Sequence, residues 1–149
     1  MNRSLYFAYG SNLDADRMKE RCPDSDPISE AWLAGWRFTF AGQSRLWGVG
    51  GVATLFPEPG GLVTGRLYHV SEADLAALDV IEGHPTVYRR VWMRLEAPVG
   101  VRSAWCYLLP PGTQETAPTP SYRAAVLAAY EALGFELPDA LKASAGHSG

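Results

Sequence analysis

The segment "YFAYGSNLDADRM", Tyr6–Met18, changes character in its middle. Aromatic and small apolar residues run to Tyr9, Gly10-Ser11-Asn12 interrupts them, and charged residues follow. Leu5, Phe7 and Tyr9 alternate with Tyr6 and Ala8, and both sets are apolar. A strand with two apolar faces is buried on both. Asp14 to Arg21 reads as a short helix, acidic at its start and basic at its end, as the helix dipole favours. The Gly-Ser-Asn junction then has two readings. It is a tight turn in which Asn12 or Asp14 caps the helix. Or it is a concavity of free backbone N–H groups that attracts an anion or a carbonyl oxygen, with Ser11 adding a hydroxyl.

Working outward, Ala31 to Ala41 ("AWLAGWRFTFA") is aromatic-rich strand material, with Gly35 marking a bulge. "GVGGVATLFPEPGG" reads as a Gly-studded strand followed by a turn, and Leu62 to Val70 as another strand with Val63, Gly65 and Leu67 on one face. "SEADLAALDVIEG" carries the signals of a helix. Ser71 is the N-cap, Asp74 stands in the capping-box position, Leu75, Leu78 and Ile81 share a face, and Gly83 stops it. Val87 to Leu95 and Arg102 to Leu109 form a strand hairpin. "PPGTQETAPTP" is a Pro-rich connector, and Tyr122 to Leu133 a helix ended by Gly134. Five to seven strands with three helices argue for a compact α+β domain built on a small closed or half-closed barrel. Residues 1–140 are expected to form that single domain, and 141–149 a frayed tail.

With 149 residues the chain is long enough to bury a substantial core. A net charge of −3 argues against a nucleic-acid partner. Cys22 and Cys106 are far apart and indicate neither a metal site nor a disulfide framework. "MNRSLYFAYG" lacks the apolar core of a signal peptide, and no run approaches the ~20 apolar residues of a membrane span. A cytoplasmic monomer or homodimer without membrane contact is the expectation.

Chemistry-bearing residues are few. Glu82 ends an apolar helix face, where desolvation raises a carboxylate toward a useful base and where the helix dipole disfavours its charge. Tyr88 follows on the next strand, within reach of Glu82 or a substrate. Asp79, one turn back, is the rival carboxylate. His69, His84 and His147 stand in no catalytic or metal-ligating pattern. The five tryptophans read as core, although Trp47 could line a pocket. "GVGG" lacks the spacing and the following helix of a dinucleotide site.

Four motifs, taken together and in order, resemble the γ-glutamylcyclotransferases: "YFAYGSNL" at Tyr6–Leu13, "GGVATLFPEPGGLVTGRLYHV" at Gly50–Val70, "LDVIEG" at Leu78–Gly83 and "APTPSY" at Ala117–Tyr122. The resemblance implies a small mixed-strand barrel flanked by helices. It implies an enzyme that converts a γ-glutamyl amide or dipeptide to 5-oxoproline plus a free amine or amino acid, without a metal or organic cofactor. The family's substrate loop matches Tyr6, Phe7, Ala8, Tyr9, Gly10 and Ser11. Its catalytic glutamate, a general acid/base, matches Glu82, and two substrate-contacting tyrosines match Tyr88 and Tyr122. The short segment from Glu82 to Tyr88, with "EGHP", resembles the γ-glutamylamine branch more than the glutathione-cycle enzyme. Two alternatives stand beside this: a non-catalytic small-ligand-binding domain on the same scaffold, and a pathway-specific enzyme that removes a γ-glutamyl group during biosynthesis. A carboxylate at position 82 favours catalysis.

Overall fold

A computed structural model describes residues 3–43 and 50–142. Five strands close into a barrel in the order β1-β3-β2-β4-β5. They are β1 (Arg3–Ala8), β2 (Asp26–Ala41), β3 (Val52–Ser71), β4 (Arg89–Ala97) and β5 (Gly100–Leu108). The helices are α1 (Ala15–Arg21), α2 (Glu72–Glu82), α3 (Pro120–Leu133) and a short α4 (Asp139–Lys142), and a 3₁₀ turn spans Ser11–Leu13. Among the described residues no helix is long and apolar enough to cross a membrane.

The barrel is antiparallel except at one seam. β1 pairs with β3 from Arg3↔Ser71 to Ala8↔Arg66, and β2 with β3 from Asp26↔His69 to Ala41↔Val52. β4 and β5 form the expected hairpin, from Arg89↔Leu108 to Ala97↔Gly100. β4 meets β2 at Trp32↔Glu96, and β5 meets β1 in parallel at Tyr6↔Trp105.

The two faces of β1 serve two cores, as its sequence demands. Phe7 points into the barrel with Leu33, Phe38, Leu55, Val63, Leu67 and Leu95, where Val126 and Tyr130 of α3 plug one end. Tyr6 and Ala8 point outward into a second cluster, where Met18 and Cys22 at the α1 end and Leu75 and Leu78 of α2 cover the strand with Tyr68, Val70 and Tyr107. The strands β1 and β3 approach closely here. A Cβ on Gly65 would stand 2.5 Å from the Ala8 carbonyl oxygen and 2.6 Å from Phe7 Cζ, so this position accommodates only glycine.

Several expectations need correction. The two strands anticipated across 48–70 are one, β3, which runs unbroken from Val52 to Ser71. Pro57, Pro59, Gly60 and Gly61 look like a turn in isolation. Yet β2 stays paired on either side, its partners jumping from Pro57 at Trp36 to Leu62 at Ala34, so the residues between bulge out opposite Gly35 (φ +88°). None of the four described tryptophans is fully buried: Trp92 is 53% exposed, Trp32, Trp36 and Trp105 are half-buried, with Trp36 and Trp105 packed against the edges of the two cores, and Trp47 lies outside the described residues. Trp92 packs instead edge-on against its cross-strand partner Trp105, ring centroids 4.7 Å apart. Ile81 is 36% exposed, so the buried stripe of α2 stops at Leu78. Tyr88 precedes β4 and does not belong to it. Leu141, expected in the tail, is buried in α4, while residues 143–149, including His147, lie outside the described residues.

Candidate active site

β1 delivers the chain to Tyr9 at one end of the barrel, where the 3₁₀ turn begins. The turn's carbonyls are held from behind. Tyr130 Oη lies 2.9 Å from the Tyr9 carbonyl oxygen, and Tyr68 Oη 2.7 Å from that of Asn12. Arg66 Nη1 donates to the Leu13 carbonyl at 3.0 Å. Leu13 N–H closes the turn on the Gly10 carbonyl at 3.0 Å, and the Asp14 side chain caps α1 by accepting from Asp16 N–H. The first donors of such a turn, on Ser11 and Asn12, have no acceptor within it. Both readings of Gly-Ser-Asn are therefore compatible in one object: a turn with Asp14 as the cap, and a pair of backbone donors at a cavity wall.

The capping box on α2 is present in full, with Ser71 Oγ accepting from Asp74 N–H and Asp74 accepting from Ser71 N–H, both at 3.1 Å. Gly83 ends the helix in the left-handed region, φ +74°. It places Glu82, the last helical residue, at a cavity of about 360 Å³ including its open mouth. Tyr6, Tyr9, Gly10, Ser11, Asn12 and Ala53 form one part of its wall, and Glu82, Tyr88, Tyr107 and Tyr122 the rest.

Burial pushes the Glu82 carboxyl from its ordinary 4.5 up to about 7, against the opposing pull of the Arg21 charge. Burial raises the hydroxyls of Tyr6 and Tyr88 well above their ordinary range, with the charge of Glu82 adding to it. Tyr122 is pushed up to about 12, chiefly by burial. These three tyrosines thus remain protonated donors or acceptors at neutral pH.

The tyrosines are fixed to the backbone of Ala53, the second residue of β3. Tyr88 Oη donates to the Ala53 carbonyl at 2.6 Å, and Ala53 N–H donates to Tyr122 Oη at 3.0 Å. Tyr9 Oη donates to the Tyr107 carbonyl. Tyr107 Oη in turn donates to Asp79 Oδ1 at 2.6 Å, where Arg90 Nε also donates at 2.9 Å. Arg90 is stacked on Trp105, 4.3 Å from its ring centroid. Asp79 is thus committed to Arg90 and Tyr107, and its carbonyl accepts from His84 N–H at 2.9 Å, which stiffens the end of α2. That leaves Glu82 as the carboxylate at the cavity.

Of the anticipated residues, Tyr6, Tyr9, Gly10, Ser11, Glu82, Tyr88 and Tyr122 converge on this cavity. Phe7 and Ala8 do not: their side chains fill the two cores on either side of β1. Ala53 and Tyr107 carry no signal in the sequence, and Asn12 is legible only as part of the Gly-Ser-Asn junction, as a cap or a backbone donor, not for its side chain. Ala53 acts through its peptide group, which no side-chain pattern reveals. Tyr107 stands in a strand whose outward face needed α2 in place to become a wall.

Comparison with known proteins bears on this geometry. Residues 6–125 match the model of a family described as gamma-glutamyl cyclotransferase, AIG2-like. A gamma-glutamylcyclotransferase of Bos taurus is 39% identical over 83 residues, covering 53% of this chain and 44% of the relative. That of Mus musculus is 34% identical over 102 residues, covering 66% and 52%. The chain spans about half the length of the curated relatives it matches. A solved structure entitled gamma-glutamyl cyclotransferase superposes with a TM-score of 0.85 at 26% identity, covering 99% of this chain and 92% of that one.

Proposed function

Because the chain belongs to the gamma-glutamyl cyclotransferase, AIG2-like family, we propose that it converts a γ-glutamyl amide or dipeptide to 5-oxoproline and a free amine or amino acid. The observation that carries this reading is Glu82: a desolvated carboxylate, raised to about 7, facing the backbone donors of the 3₁₀ turn across one cavity. The substrate's α-ammonium has a pKa of about 8 and must lose a proton before it can attack. A carboxylate titrating near neutrality is matched to that task. Glu82 takes the proton, the freed amine attacks its own γ-carbonyl carbon, and a new C–N bond closes the five-membered ring. The tetrahedral intermediate carries its charge on the former carbonyl oxygen, which the N–H groups of Ser11 and Asn12 are suited to receive. Collapse breaks the original γ-amide bond as Glu82 gives its proton to the departing nitrogen; Glu82 then takes the second proton from the ring nitrogen and passes it to the same amine, so the ring keeps one N–H and the amine leaves as an ammonium. Protons and bonds balance without water. Because the attack is intramolecular, holding the glutamyl chain curled supplies much of the rate, equivalent to effective molarities of about 10⁵ M or more.

The test is a panel of γ-glutamyl compounds read for 5-oxoproline. Release of 5-oxoproline from at least one, with no glutamate and with an N-acetylated analogue inert, is the expected result. Glutamate as the product, or turnover of the blocked analogue, would make the protein a hydrolase.

A further inference from the structure

Three of the cavity tyrosines pass their hydroxyl protons to protein oxygens. That of Tyr9 goes to the Tyr107 carbonyl, that of Tyr88 to the Ala53 carbonyl and that of Tyr107 to Asp79. Tyr6 differs. Its oxygen accepts from Asn12 Nδ2 at 3.0 Å, and among the described residues its own proton has no acceptor. Yet Tyr6 is 4% exposed and lines the cavity. A buried hydroxyl rarely leaves its donor unused.

The direction of this hydrogen bond is dictated by a permanent charge. Arg21 Nη1 donates to Asn12 Oδ1 at 2.9 Å. A guanidinium has only donors, so the Asn12 oxygen must face it and the Asn12 NH₂ must face Tyr6. An NH₂ group cannot accept, so Tyr6 must accept through its oxygen and turn its proton elsewhere. The Tyr6 ring is fixed as well, 6.2 Å from the stacked ring of Tyr68 and 5.9 Å from the edge-on ring of Tyr107. The Glu82 carboxylate also makes no hydrogen bond among the described residues, so the cavity brings together an uncommitted acid/base and, in Tyr6, an uncommitted side-chain donor beside the backbone donors of the turn.

We propose that Tyr6 is a catalytic donor to the γ-carbonyl oxygen of the substrate, and that Asn12 and Arg21 are positioning residues that force its proton into the cavity. The inference rests on the cyclotransferase reading and adds a side-chain donor to the backbone donors of the turn. The oxygen gains negative charge as the amine attacks, so a donor aimed at it contributes more in the transition state than in the ground state.

The test is a double-mutant cycle with Tyr6→Phe and Asn12→Leu, assayed on γ-glutamyl-alanine. Tyr6→Phe removes one oxygen atom from a packed ring and should lower kcat about 10²-fold with KM changed less than about threefold. Asn12→Leu should lower kcat about tenfold in the wild-type background and leave it unchanged in the Tyr6→Phe background, because its effect passes through that hydroxyl. The acid limb of the rate profile should stay in place in Tyr6→Phe. A limb moved to higher pH would mean that Tyr6 donates to Glu82 and would overturn the proposal, as would a kcat within twofold of wild type or independent effects of the two changes. A merely structural role would produce those independent effects. The same cycle read by calorimetric binding of 5-oxoproline, whose lactam oxygen stands in for the γ-carbonyl, keeps the two readings apart. If wild type turns over no γ-glutamyl compound, the cyclotransferase reading falls, while coupled losses of 5-oxoproline affinity in the cycle still support the Tyr6 donor. If wild type does not bind 5-oxoproline either, both fall.

Discussion

Glu82→Gln should make this protein more stable and inactive at once. The carboxyl is raised from 4.5 to about 7 by burial, so its ionised form is unfavourable in the folded state. Each tenfold change in proton affinity corresponds to about 1.4 kcal/mol, so the full shift corresponds to about 3 kcal/mol. Glu82 is partly exposed at the cavity mouth, and screening by water brings this to about 1.5–3 kcal/mol. The sign follows from linkage. Between pH 4.5 and 7 the folded state holds the proton more tightly than the unfolded state, so wild-type stability falls as pH rises through that window and is lowest above it. Glutamine keeps the shape and never ionises. The variant should match wild type near pH 4.5 and exceed it at pH 8, with Tm higher by roughly 3–12 °C at about 2–4 °C per kcal/mol. In the same samples 5-oxoproline release should fall by about 10²-fold or more. Thermal and urea denaturation at both pH values, beside initial rates, measure all of this. Equal stability of the two proteins at pH 8 would mean that the carboxylate is well solvated, and the physical basis for a base at this position would be gone.

Other outcomes follow from the same geometry. The acid limb of kcat/KM should have its midpoint near pH 7, and Arg21→Gln should move it upward, since the Arg21 charge now favours the ionised Glu82; a pH–rate series on both proteins checks this. Tyr122→Phe leaves the buried Ala53 N–H without its acceptor and should cost about 1–3 kcal/mol in urea denaturation. Gly65→Ala drives a methyl group into the Ala8 carbonyl and the Phe7 ring and should lower Tm by roughly 2–12 °C on the scale of core overpacking, read by calorimetry. No Arg or Lys lies between Pro110 and Tyr122 to hold a second carboxylate, so γ-glutamyl-alanine should exceed glutathione in kcat/KM by matched initial rates.

The parts of the fold legible in the sequence were those set by local signals. Ser71 and Asp74 mark the start of α2 and Gly83 its end because a capping box and a left-handed stop depend only on neighbours in the chain. The two apolar sets of β1 announced a strand between two cores. Glu82 was legible because a carboxylate at a helix C-terminus conflicts with the dipole. What escaped was decided by partners distant in sequence. Pro57 to Gly61 read as a turn because nothing local shows that β2 continues its pairing past them. Asp79 looked like a second base until Arg90 and Tyr107 claimed it. Asn12 looked like a cap, and its link to Tyr6 and Arg21 exists only once α1 has folded back beside β1.

The parallel seam between β1 and β5 has a consequence for how ligand and fold communicate. β2 with β3, and β4 with β5, are neighbours along the chain, whereas β1 must find strands far away in sequence on both of its edges. Such long-range closures are slow to form and are natural places for a barrel to open. The cavity draws its wall from all of these pieces: the loop after β1, the start of β3, the end of α2 and β5. An opened seam has no binding site, so any ligand that fits the cavity binds only the closed barrel and adds its own free energy to the latch. Amide exchange along β1 should therefore slow when 5-oxoproline is bound, most of all where Tyr6 meets Trp105, so that the first strand of the chain reports occupancy of the site beside it.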